Sequence, residues 1–158
     1  MTRTLPDGPQ PSLRGRAVKL LARRDHSRAE LSKKLTPLGT AEEIKAVLDQ
    51  LEQTGLLSDA RAAAAYLRGH AARFGAAKLS HTLRAKGISA ELIEASLDQQ
   101  EFGDELARAR ELWVRKFGRQ PIRDARDARE WARQARFLQS RGFSAEIVRK
   151  LLKSPDDE

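Results

Sequence analysis

The 158-residue chain has no cysteine. Disulfides, thiolate metal sites and thiol nucleophiles are therefore excluded, and nothing argues for an oxidising compartment. Aromatic residues make up only 5% of the chain, so any core must rest on Leu, Ile and Ala. Val, Ile and Thr are scarce and never alternate with polar residues at period two, which argues against strands. The longest apolar run, Ala62 to Leu67, is far too short to span a membrane. The opening stretch MTRTLPDGPQPSLRG carries three prolines and lacks the apolar centre of a signal sequence, so it reads as a disordered arm. No H-E-x-x-H, Walker loop or G-x-G-x-x-G occurs. The three histidines, His26, His70 and His81, sit in three different predicted elements. Neither catalysis, a metal nor a cofactor is expected, and the default is a cytoplasmic monomer with no membrane partner.

What the chain has in quantity is charge (33% of residues) and helix punctuation. Ser27 with Glu30, and Thr40 with Glu43, each place an N-cap hydroxyl three residues before a carboxylate, the signature of a capping box. Ser58, Ser89, Asp104, Asp124 and Ser144 open further helices, while Gly55, Gly87, Gly118 and Gly142 close them. Apolar residues follow helical spacing between these signals: Ala17, Val18, Leu20 and Leu21; Ile44, Val47, Leu48 and Leu51; Leu79 and Leu83; Ile93 and Leu97. His26 falls where a side chain can cover Leu31 beside the first cap.

Two of the stop–start junctions are near-copies. LRAKGISAELIEASL (Leu83 to Leu97) and LQSRGFSAEIVRKLL (Leu138 to Leu152) share an apolar residue, then Gly, then Ser-Ala-Glu, and Thr40 opens a degenerate third copy. The acid at the second helical position recurs as Glu42, Glu91 and Glu146, opposing the positive end of each helix dipole. The spacing predicts an all-α chain of three tandem three-helix repeats in an elongated, quasi-linear array. The expected limits are an arm at 1–12, repeats at 13–58, 59–103 and 104–153, and an acidic tail at 154–158.

The net charge of +8 is concentrated. Residues 107–153 hold 14 Lys and Arg against 5 acids, whereas 17–59 and 60–106 are each neutral. On a helical wheel with Arg126 at zero, Arg129, Arg133 and Arg136 fall at about 300°, 340° and 280°. Trp131, Leu138, Ala135 and Ala128 fall on the opposite side, and Phe137 borders the arginines. A solvated face and a docking face both fit this stripe. The local excess of charge, and the suitability of Arg for phosphate and carboxylate forks, favour docking. A weaker patch comprises Arg23, Arg24, Arg28, Lys33 and Lys34, offset locally by Asp25 and Glu30.

LLARRDHSRAEL, VLDQLEQTGLLSDARAAAAYL, LRAKGISAELI and RFLQSRGFSAEIVRKLL, in that order, span Leu13 to Lys153 and resemble the RecX family of bacterial RecA regulators. Ala63 departs from the family's pattern, standing where a larger residue is expected. The resemblance implies a non-enzymatic protein of three-helix repeats in an elongated, curved array that binds RecA, above all its filaments on single-stranded DNA, and suppresses strand exchange, ATP hydrolysis and co-protease activity. Direct DNA binding is also attributed to the family. The resemblance transfers no binding motif residue by residue, so the candidate site residues rest on charge. Two rival readings are a DNA-binding helix-turn-helix protein and a helical adaptor for another acidic partner.

Overall fold

The computed structural model describes residues 12–99, 104–118 and 128–152. Among them are nine α-helices and no strand. The helices are α1 (Leu13–Arg23), α2 (Arg28–Leu35), α3 (Ala41–Gln53), α4 (Asp59–His70), α5 (Ala76–Ala85), α6 (Ala90–Leu97), α7 (Glu105–Phe117), α8 (Ala128–Ser140) and α9 (Ala145–Leu151). A short 3-10 turn, Thr36–Leu38, follows α2, with Pro37 in its first turn. The expected arm, the acidic tail, the Asp124 cap and Arg126 lie outside the described residues.

Three small cores correspond to the three sets of helices. The first gathers Ala17, Leu31, Leu35, Ile44, Leu48, Leu51 and Leu57, with Val18, Leu20, Leu21 and Val47 packed against it. The second centres on Ala63, Leu67, Leu79, Leu83, Ile88 and Ile93. The third contains Ala109, Leu112, Ala135, Leu138, Phe143 and Val148. Ala63 is fully buried, so the small side chain marked in the sequence is a core position and not a surface one. The backbone divides into two compact units, one ending at Ala62 and one beginning at Ala63, so the second and third cores share a unit.

The caps form as the sequence dictates. Ser27 Oγ accepts the Glu30 N–H at 3.1 Å while the Glu30 carboxylate accepts the Ser27 N–H at 3.3 Å. Thr40 and Glu43 repeat the arrangement. Ser58, Ser89 and Ser144 each accept an N–H three residues on. Ser27 is also fully buried, and the next N–H, that of Arg28, donates to the Asp59 carboxylate at 2.7 Å. Ser27→Ala therefore leaves a dry donor and is expected to lower the stability of the first unit by about 1–2 kcal/mol. Urea denaturation monitored by circular dichroism checks this, and an unmoved midpoint would show the hydroxyl to be dispensable.

His26, just before this cap, is buried more deeply than a covering side chain would be, at 2% exposure. Its ring meets the Arg24 carbonyl through Nδ1 and the Lys34 ammonium through Nε2, both at 2.9 Å. Burial is the main cause of a pKa held below the ordinary imidazole value, with the neighbouring cations acting in the same direction. A neutral ring donating from Nδ1 and accepting at Nε2 satisfies both contacts.

The copied junctions share a physical cause. Gly87 and Gly142 have φ of 80° and 91°, the left-handed conformation that ends a helix without a Cβ penalty. In each, the following residue returns its N–H to a carbonyl five residues back, Ile88 to Leu83 and Phe143 to Leu138, both at 3.2 Å. The same four side chains are buried. This is the Schellman cap with its apolar contact, which fixes the spacing from Leu to Gly to the next apolar residue.

Within the second unit, repeat 3 supplies hydrogen bonds that repeat 2 cannot make for itself. Gly75, at the N-cap of α5, has no side chain to cap the helix. The N–H groups of Gly75, Ala76 and Ala77 instead donate to the Arg141 carbonyl (2.7 Å), the Glu105 carboxylate (3.0 Å) and the Gly142 carbonyl (3.3 Å). Helix α4, expected to continue to about Arg73, stops at His70. The next two carbonyls, Ala71 and Ala72, accept from the Arg108 and Arg115 guanidinium groups at 3.1 and 2.7 Å. Asp104 sits at the N-cap of α7 but accepts no first-turn N–H.

Candidate partner-binding surface

Helix α8 has the largest separation of apolar and charged faces that the wheel foresaw, with its inward side rotated. The buried positions are Gln134, Ala135 and Leu138. Gln134 is admitted to the core because all its polar needs are met: its carbonyl accepts the Trp113 indole N–H at 2.7 Å and its amide donates to Glu130 at 2.9 Å. Trp131, expected inward, is 39% exposed, and Ala128 is exposed. These two lie on the first turn of the described helix, while the turn that meets the core begins at Gln134. Phe137, expected beside the arginines and away from the core, packs on the third core and meets the Phe117 ring edge-on at 5.4 Å.

Of the arginine stripe, Arg129, Arg133 and Arg136 are all exposed. Arg133 is engaged: its guanidinium forms a two-pronged contact with Glu130, Nε at 3.0 Å and Nη2 at 2.7 Å, and lies 5.1 Å from the Phe117 ring. The Arg133 fork, helped by Gln134, pulls the Glu130 carboxyl down to about 2. Arg129 and Arg136 make no ion pair with any described residue. They stand seven residues apart, two helical turns, and so share one face.

The weaker patch is dispersed by its own unit. Arg28 bridges to Asp49 at 2.8 Å and Glu52 at 3.2 Å, tying α2 to α3. Hydrogen bonds from Lys45 and Arg28 hold the Asp49 carboxyl below its usual range. Arg24 pairs with Glu30 at 3.0 Å and Lys34 reaches His26. Arg23 and Lys33 are exposed. No group of three or more potential metal-binding side chains occurs among the described residues, and no described helix is long and apolar enough to cross a membrane.

This succession of capped three-helix sets matches known profiles throughout. The first, second and third three-helix domains of RecX match residues 14–51, 58–97 and 103–152. The chain belongs to the RecX family. It is 51% identical over 151 residues to the regulatory protein RecX of Leptothrix cholodnii, covering 95% of this chain and 93% of that one. The RecX of Chromobacterium violaceum is 40% identical over 148 residues, covering 93% of each chain. The crystal structure of RecX from Lactobacillus salivarius superposes with a TM-score of 0.72 at 19% identity, covering 89% of this chain and 92% of its own. The fold is thus shared at low sequence identity.

Sequence reasoning missed the contacts of Arg141 and Phe117 with Phe137 and the row of Tyr66, His70 and Phe74 rings. The spacing of four between the last three was visible, but a single row of rings reads equally as core.

Proposed function

We propose that the chain is a non-enzymatic regulator that binds RecA, and RecA filaments on single-stranded DNA, and restrains their recombinase, ATPase and co-protease activities. In the cytoplasm it would thereby tune recombinational repair and the SOS response. Membership of the RecX family carries this reading. The exposed Arg129 and Arg136, which pair with no described carboxylate, support a role for α8 in docking against acidic protein surface or phosphate. Tandem units suit a repeating partner, since modest contacts by each unit add through effective concentration. The test is RecA-catalysed ATP hydrolysis on single-stranded DNA with the full chain titrated in. Hydrolysis is expected to fall with added protein, and a rate unchanged at excess over RecA would end the reading.

A further inference from the structure

We propose that His26 is an acid-sensitive latch on the first unit: its neutral ring clips the end of α1 to the last turn of α2, and a second proton opens that joint. The geometry fixes which proton the ring already holds. The Arg24 carbonyl beside Nδ1 can only accept, so Nδ1 carries the ring hydrogen. Nε2 is then a bare lone pair, and it accepts from the Lys34 ammonium. A proton arriving at Nε2 would set two donors face to face at 2.9 Å, one of them already a cation. Lys34 lies at the surface and can swing into solvent. The imidazolium left behind, on a ring 2% exposed, would still be dry and short of an acceptor.

The carboxylates around the joint are already engaged. Glu30, whose charge favours an imidazolium, is held by Arg24 at 3.0 Å and by the Ser27 N–H. Asp25 faces Arg61 at 3.6 Å, and Asp59 at the start of α4 accepts the Arg28 N–H. On α3, Asp49 and Glu52 take the Arg28 guanidinium. Arg24 and Lys34 both oppose a further positive charge. A protonated ring must therefore leave for water, and it stands next to Ser27, whose backbone and hydroxyl form the capping box of α2. Burial above all keeps the folded ring's pKa below its ordinary value. The unfolded first unit thus takes up the proton first, and stability drops as the pH falls below about 6.5. If the chain restrains RecA as proposed above, that restraint would weaken in an acidified cell, but the latch itself belongs to this chain alone.

The test is nuclear magnetic resonance of the full chain, without RecA, from neutral to mildly acid pH, so a failed RecA assay leaves its result untouched. At neutral pH the imidazole nitrogen shifts are expected to give His26 as the Nδ1-protonated tautomer. The Arg28 and Leu31 amides, bonded to Asp59 and to the Ser27 carbonyl, report the joint. Their protection from hydrogen exchange is expected to fall by up to about tenfold per pH unit below about 6.5, the ceiling for a single proton. Ile88, in the second unit, reports any general effect of acid. The Asp49 carboxyl, held below its usual range, stays charged throughout this window. His26→Gln, which cannot titrate, is expected to abolish the excess loss at Arg28 and Leu31. Should that variant fail to fold, Lys34→Met keeps the ring, removes the opposing cation and is expected to raise the pH at which His26 titrates. A neutral-pH ring protonated at Nε2 would overturn the proposal, as would a titration that Lys34→Met does not move. So would protection at Arg28 and Leu31 that falls no faster than at Ile88, or an acid dependence that survives His26→Gln.

Discussion

Gly142→Ala is expected to lower the stability of the second unit by about 2–5 kcal/mol, combining a strained backbone with a collision. The backbone term follows from φ of 91°. The collision follows from position: a Cβ built on Gly142 meets the Lys78 Cβ and lies 2.7 Å from the Lys78 nitrogen. Relief requires the loop after α8 to move off the start of α5. That movement breaks the bonds from Gly75 and Ala77 to the Arg141 and Gly142 carbonyls. Two alanine variants separate the causes. Gly55 has φ of 78° with nothing within 4 Å of its added Cβ, so Gly55→Ala isolates the backbone term. Gly75 has an ordinary φ of −81° but would drive its Cβ into the Gly142 backbone, so Gly75→Ala isolates the collision. Urea midpoints of the three variants measure each contribution. A Gly142→Ala chain no less stable than Gly55→Ala would show that the two repeats do not need this approach.

Charge reversal on α8 is the second large effect. With Arg126, Arg129, Arg133 and Arg136 all changed to Glu, inhibition of RecA-dependent ATP hydrolysis is expected to be abolished while helicity is largely kept. Hydrogen bonds to charged groups contribute about 1.5–3 kcal/mol each, so losing two predicts at least a hundredfold weaker docking. Arg129 and Arg136 are the informative pair, because no described carboxylate already claims them. Arg133→Glu alone would set a carboxylate beside Glu130, so its effect mixes docking with repulsion inside the helix. Wild-type inhibition by the quadruple variant would reduce the stripe to a solvated face. Lost inhibition with unchanged binding and salt slope on naked single strands would place the arginines against RecA.

Local physics explains how much of this was legible in the sequence. Ser27, Thr40, Ser89 and Ser144 could be read as caps because the N–H groups whose bonds they accept lie three residues away, and Gly87 and Gly142 as stops because a left-handed residue is a local demand. The N–H groups of Gly75 to Ala77 have no such signal. Their acceptors belong to Glu105, Arg141 and Gly142, distant along the chain and set by tertiary packing. Gly75 therefore reads only as a helix boundary, although its lack of a side chain is what admits the neighbouring backbone. On α8 the wheel put the arginines outside but misplaced Trp131 and Phe137. Periodicity fixes which residues share a face, not which turn meets a partner or whether a polar Gln134 will be accepted inside.

The dependence of α5 on repeat 3 also sets a timetable for synthesis. The residues up to Ala62 contain their own core and caps, so nothing later in the chain needs to emerge before they fold. Gly75 waits for a carbonyl made about 66 residues later, at Arg141. At about 5–20 residues per second, that interval lasts roughly 3–13 s on the ribosome. During it the first turn of α5 has only water for its donors. A nascent chain paused between Gly75 and Arg141 would thus hold a finished first unit and an open second one, the stage at which a chaperone or protease has most to grip.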